Sequence, residues 1–378
     1  MVITRNTMKK CINKRKRSAI LALLVLLFAV GVYFACFYGK DGFFLEKYAN
    51  ADAKFYNDHI ITSVDEGVYM LDFDGNVVKS YEGLKASWMY AYPDEGLVVY
   101  SNHDNETHLL KLDENMDMIS DEVILVSELL AIDPTICKVG NTYLVTHTTI
   151  EGTINNPDPN GDNGMYSLDL YVSGDLENWE HRTTITSQKH DIEDIDLLYN
   201  GETLYCIYEK ENYDKGPSKV CMRYSADEGA TWSEETVLID NGRDNEFACI
   251  LPEYDGWKIY YSSDKDNPGA SYNGASAYSA FFDADFVHIP ELDEKVDMKD
   301  NLSIRLYEVK QMENKLYFMY ARDYMTDKDF VLKSIVTNLE CRKKKTGNTN
   351  ERYYFSWWIR HKTLSINKGN FKTDYANL

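Results

Sequence analysis

Cysteine is scarce for a chain of this length, seven in 378 residues. Cys11 and Cys36 fall in the N-terminal segment, and Cys137, Cys206, Cys221, Cys249 and Cys341 form an odd, widely spaced set. That excludes a disulfide framework, and with no Cys-x-x-Cys pair there is no zinc pattern of that kind. Cys137, Cys206 and Cys249 sit at apolar positions of expected strands, as small buried residues do. Basic charge is equally thin in the body of the chain, where residues 21–340 hold 24 basic and 59 acidic side chains, a net of −35. Such a domain repels nucleic acid and anionic lipid, which are excluded as partners. Helical periodicity is also missing from about Asp41 to Glu340, so a helical bundle is excluded.

The N-terminus has the opposite balance. Its first twenty residues contain no acid and seven basic residues, among them Lys9, Lys10, Lys14, Arg15, Lys16 and Arg17. Ser18 to Tyr38 then run apolar for about twenty residues, the length that crosses a bilayer core. Bulky Tyr33, Phe34, Phe37 and Tyr38 close the run without a small-x-small cleavage site, so an uncleaved signal anchor is expected, with residues 1–17 cytoplasmic and the remainder exported across the cell membrane. Residues 39–340 form the expected ectodomain. The basic stretch 341–378 is either a disordered end or, through Tyr353 to Ile366, a strand that closes the domain.

Within the ectodomain, short aromatic and β-branched runs alternate with turn residues, and the chain has 29 tyrosines. This composition argues all-β. Ser225-Ala-Asp227-Glu-Gly229-Ala-Thr231-Trp232 reads Ser-x-Asp-x-Gly-x-Thr-Trp, in which Asp227 accepts backbone hydrogen bonds, Gly229 supplies a special backbone conformation and Trp232 anchors the turn. The pattern resembles the Asp-box (BNR repeat) of sialidase-like β-propellers. A degenerate copy runs Ser173-Gly-Asp175-Leu-Glu-Asn-Trp179, and weaker acidic turns follow strands at Asp72, Asp113, Asp283 and Asn338. The intervals are 41, 62, 52, 56 and 55 residues, close to one four-stranded blade each. The expected architecture is all-β, a five- or six-bladed β-propeller behind a single N-terminal transmembrane helix.

In a propeller the first strand of each blade lines the central channel. The blade openings supply Trp88 and Tyr90, then Asp133, then Glu193, Asp194 and Asp196, then Glu246, then Arg305. Asp133 and Asp194 each precede a turn glycine, Gly140 and Gly201, by seven residues, which places the two carboxylates equivalently. Converging carboxylates from separate blades suit glycoside hydrolysis, which needs a proton donor and a second carboxylate for water or the sugar. Trp88 and Tyr90 are expected as a sugar platform, with Asp196 and Arg305 as further substrate ligands.

Over roughly Ile132 to Ser263 the order Asp133-Pro134, Asp194, then Glu246 ahead of Ile259-Tyr260-Tyr261-Ser262 is similar to the arabinanase and β-xylosidase group of propeller glycosidases. The resemblance implies Asp133 as general base or second aspartate, Asp194 as the aspartate that orients the acid, and Glu246 as general acid. Glu246 is followed by Phe247-Ala248 where that group has Gly-Pro. A sialidase would need an arginine clamp on the substrate carboxylate, yet no arginine occurs between Arg17 and Arg182. True exo-sialidase activity is therefore disfavoured.

Two functional readings stand: a membrane-anchored propeller acting on glycans as a glycoside hydrolase, or a non-catalytic surface propeller that binds glycan or protein. No cofactor is required by either. In the insertion Glu151–Met165, Asp158, Asn160 and Asp162 alternate as in a calcium loop, although Asn163 replaces the turn glycine and no Glu closes the loop. A plain surface loop is the competing reading there.

Overall fold

The computed structural model describes residues 52–336, apart from short stretches at 65–66, 153–163, 190, 212–215, 254, 268–273, 299–302, 313–314 and 324–327, together with the strand Phe44–Leu45. The expected span 18–38, the loop ligands Asp158, Asn160 and Asp162, and the tail 341–378 lie outside the described residues. Among the described residues no helix is long and apolar enough to cross a membrane.

Among the described residues the strands form six four-stranded antiparallel sheets. Five of these blades take their strands from four consecutive chain segments, each paired to the one before it. The first strands of the blades are Ala53–Tyr56, Trp88–Tyr92, Leu130–Val139, Ile192–Tyr199, Asn245–Glu253 and Arg305–Met312. Each packs beside the first strand of the next blade, and the last packs beside the first, so these six close a ring around a channel. In the sixth blade Arg305–Met312, Lys315–Asp323 and Lys328–Val336 are completed by Phe44–Leu45, with Phe44 opposite Val331 and Leu45 opposite Phe330. The outer strand of the last blade thus comes from the segment ahead of the first blade.

Burial follows from this packing. A blade has neighbours on both faces, so an inner strand such as Leu97–Ser101 is buried at every position, while the outermost Met118–Val126 is largely exposed. Six apolar clusters result, one at each blade junction. Between blades three and four, for example, Ile132, Leu144 and Leu168 meet Ile192, Leu197 and Cys206. Each such Leu or Ile contributes roughly 1.5–3 kcal/mol on burial. Cys137, Cys206, Cys221 and Cys249 are free thiols buried in these layers, as expected of small core residues.

The acidic turns at Asp72, Asp113, Asp175, Asp227 and Asp283 all fall at one place, between the third and fourth strands of a blade, and Asn338 lies outside the described residues. Oδ1 of Asp72, Asp113, Asp227 and Asp283 each accepts the backbone N–H four residues on at 2.8 Å. At the best-formed turn Ser225 Oγ accepts the Gly229 N–H, and Thr231 Oγ1 donates to Asp227 Oδ2. Asp175 likewise gathers the N–H groups of Glu177 and Asn178, while Trp179 and Trp232 pack on apolar clusters beneath their turns. Gly229 has φ of 83°, and a Cβ there would stand 2.3 Å from Leu170 Cδ2, so both backbone and space require glycine.

Candidate active site in the channel

The inner strands of blades three to six share an irregularity. Their pairing with the second strand slips between Ile132 and Thr135, Glu193 and Asp196, Phe247 and Cys249, and Leu306 and Glu308. Bulges of this kind re-aim side chains and bend the strand. At the first two, Asp133 and Asp194 adopt left-handed backbone angles, φ 46° and 50°. Aspartate tolerates that region better than most residues, but holding it there costs on the order of 1 kcal/mol or more. Two such residues at equivalent positions, facing one channel, are a site signature.

The channel mouth is a cavity of about 210 Å³. Blade three contributes Asp133 and Pro134, blade four Glu193, Asp194 and Asp196, and blade two Trp88 and Tyr90. Arg305, Tyr307 and Glu308 enter from blade six, with Asp52 and Lys54 from the start of blade one. Seven of the eight channel residues expected from the sequence therefore share this cavity. The eighth, Glu246, lies behind it, 5% exposed, with Oε1 2.5 Å from Arg305 Nη2. The bulge that carries Asp133 and Asp194 in blades three and four carries Ala248 in blade five and Tyr307 in blade six.

Hydrogen bonds fix the lining. Asp133 Oδ2 accepts the Asp194 N–H at 3.3 Å, and the Tyr90 hydroxyl donates to Asp196 Oδ1 at 2.7 Å. Asp52 accepts the N–H groups of Ala53 and Met89, both at 2.7 Å, and Glu308 Oε2 accepts that of Phe55 at 2.6 Å. These last two carboxylates stitch blade one to its neighbours on either side. Trp88 is half-buried, its ring packed on the core between blades three and four and set edge-on to His103 at 5.0 Å.

Crowded acids in little water hold their protons. Burial, then the Asp52 charge, pushes Asp133 up to about 6, although the Asp194 N–H, Lys54 and Arg305 pull the other way. Burial, then Glu246 and Asp133, raises Asp194 well above the ordinary carboxylate range. Glu193 rises for the same reason, through burial and then Asp133. Burial opposes the charge on Lys54, but Asp52, Glu308, Asp194 and Asp133 together hold it as a firm cation. The site thus combines protonated and ionised acids with a fixed positive charge, the combination acid–base chemistry uses.

Asp52, Lys54 and Glu308 escape a reading of blade openings. Asp52 and Lys54 flank the start of a four-residue strand, and Glu308 sits inside its strand, past the bulge. A second acidic group, Glu209, Glu211, Asp244 and Glu246, lies behind the channel wall and has the donor set for a metal ion.

No family model matches the chain, and no curated protein does. Among solved structures it is similar to β-1,2-mannobiose phosphorylase from Listeria innocua, at 12% identity and a TM-score of 0.42 over 79% of this chain and 92% of that one. It is also similar to the GH93 α-L-arabinofuranosidase of Fusarium graminearum, at 9% identity and 0.42 over 78% and 94%. Penicillium chrysogenum α-L-arabinanase gives 8% identity and 0.42 over 78% and 97%. Likeness at that level transfers no chemistry. The architecture rests on the six sheets, and the chemistry on the channel.

Proposed function

We propose that the protein is a glycan-acting propeller whose channel hydrolyses a glycosidic bond at a terminal sugar. The observation that carries this reading is the pair Asp133 and Asp194, both left-handed on equivalent bulges and both lining one cavity beside Trp88. About 210 Å³ is below the 300–1,000 Å³ typical of drug-sized pockets and suits one sugar residue. Asp194 keeps its proton and acts as the acid: it protonates the glycosidic oxygen as the bond from that oxygen to the anomeric carbon breaks. Asp133, ionised above pH 6, takes a proton from the water that attacks the anomeric carbon. Glu246, first expected as the acid itself, is assigned a positioning role here, its charge raising Asp194 from behind. Arg305 and Lys54 orient sugar hydroxyls or a carboxylate, and Trp88 stacks on the ring. The apolar run 18–38 and its basic flank support anchoring at the cell membrane with the propeller outside.

The test is turnover of a broad panel of aryl glycosides by the purified protein. Cleavage of at least one, lost in Asp194→Asn and Asp133→Asn with folding retained, supports the assignment. A second reading, a non-catalytic glycan-binding propeller, is favoured by the engagement of Arg305 with Glu246. Glycan-array binding that survives Asp194→Asn, without cleavage of any glycoside, selects it.

A further inference from the structure

Behind the channel wall, four carboxylates meet with almost no water. Glu209 and Glu211 alternate on the second strand of blade four, Leu204–Glu211, and Asp244 and Glu246 alternate at the entry to blade five. In a strand, residues two apart share a face, so each blade presents a pair to the junction. One carboxylate oxygen from each of the four lies within 4.8 Å of the others. Exposure is 1% for Glu209, 5% for Glu211, 4% for Asp244 and 5% for Glu246.

Several groups around the four acids meet their oxygens. Arg305 pairs with Glu246, the Ser218 hydroxyl donates to Asp244 Oδ1 at 3.0 Å, and Glu209 Oε2 accepts the Phe247 N–H at 2.7 Å. Glu209 Oε1 is buried in the same group with no hydrogen-bond partner. An orphaned carboxylate oxygen in a dry site costs on the order of 1–3 kcal/mol or more, and mutual repulsion adds to it. Burial, then the neighbouring acids, raises Glu209 and Glu211 well above the ordinary range.

We propose that Glu209, Glu211, Asp244 and Glu246 form a calcium site that ties blade four to blade five. All four donors are hard oxygens, the set that calcium takes, and none is sulfur or imidazole. Ligands on opposite sides of calcium stand roughly 4.6–5.2 Å apart, against about 4.0–4.2 Å for magnesium. The 4.8 Å cluster therefore fits the larger ion. The ion gives Glu209 Oε1 its missing partner and balances the negative charge that four buried carboxylates bring together. This role is independent of whether the channel turns over a glycan.

The experiment compares the full-length wild-type protein, Glu209→Gln with Glu211→Gln, and Asp158→Asn with Asp162→Asn. Each is stripped with chelator and titrated with calcium, and then with terbium, whose emission is sensitised by nearby tyrosines. The expected result is a rise in Tm of ~5 °C or more for wild type and for the loop variant. Terbium emission should be displaced by calcium in those two and reduced at least tenfold in Glu209→Gln with Glu211→Gln. The glutamine pair removes repulsion, so its folding should survive and its chelated Tm should match or exceed that of wild type. A Tm unmoved by calcium overturns the proposal, with protons neutralising the cluster instead. A calcium effect that persists in the glutamine pair and vanishes in the loop variant overturns it equally.

Discussion

Asp133 Oδ2 accepts the backbone N–H of Asp194 at 3.3 Å, so the acid of one blade holds the backbone that carries the acid of the next. Both residues are left-handed and both sit on a bulge. Movement of either therefore moves the other, and the spacing of the pair is set by the junction of blades three and four.

Replacing Asp194 by Asn removes the proton donor but leaves its N–H bond to Asp133. We expect kcat on any cleaved glycoside to fall by 10² or more with far-ultraviolet circular dichroism unchanged. Glu246→Gln should act indirectly, lowering Asp194 and so shifting the alkaline limb of the pH–rate profile to lower pH while leaving KM within about threefold. An unshifted profile would remove Glu246 from the catalytic scheme.

Stability should fall as pH rises from 4 to 7. An acid whose folded pKa lies above its unfolded value binds more protons when folded, so its contribution is present at low pH and lost as pH climbs through the folded pKa. For Asp133 the window runs from 3.8 to about 6, worth on the order of 3 kcal/mol. Asp194 and Glu193 shift in the same direction. Asp133→Asn keeps an acceptor for the Asp194 N–H and should be more stable than wild type at pH 8 but not at pH 4. Urea unfolding at the two pH values decides, and equal curves for wild type at both would refute the linkage.

In calcium-free protein Arg305→Met should cost about 3–5 kcal/mol, because it removes the cation paired with a buried carboxylate, Glu246, that already faces Glu209, Glu211 and Asp244. Adding Glu246→Leu to it should recover most of that loss. A loss below 1 kcal/mol for the single variant would mean that the pair is solvated and not a buried ion pair.

Gly229→Ala places a Cβ against Leu170 at a φ of 83°. A loss of roughly 1–3 kcal/mol is expected, seen as a lower Tm. Gly201→Ala, also at positive φ but with nothing near its Cβ, should cost less; the opposite order would show that packing at Gly229 is not what limits it.

Much of the architecture was legible because its signals are local. Asp72, Asp113, Asp175, Asp227 and Asp283 bond to backbone two to four residues away, so each turn announces itself in a short stretch of sequence, and their spacing counts the blades. The seven-residue register from Asp133 to Gly140 and from Asp194 to Gly201 correctly paired the two bulge residues. Glu246 was matched to them by its place at a strand start, but bulges shift register, and the position aligned with them belongs to Ala248. Asp52, Lys54 and Glu308 were missed because only ring closure brings the first and sixth blades together. The alternation Glu209-x-Glu211 and Asp244-x-Glu246 is plain in the sequence, yet alone each pair reads as a solvated strand face. Their convergence is a property of the junction.

Phe44 lies opposite Val331, so the last blade is finished by a segment that emerges before the first. During synthesis this short strand has nothing to pair with until almost the whole propeller exists. A chain stopped early carries an open ring, an unpaired sheet edge and acids gathered without their full enclosure, each a mark of an unfinished molecule that quality control can read. The ring thus records whether the chain was made at least as far as Val336.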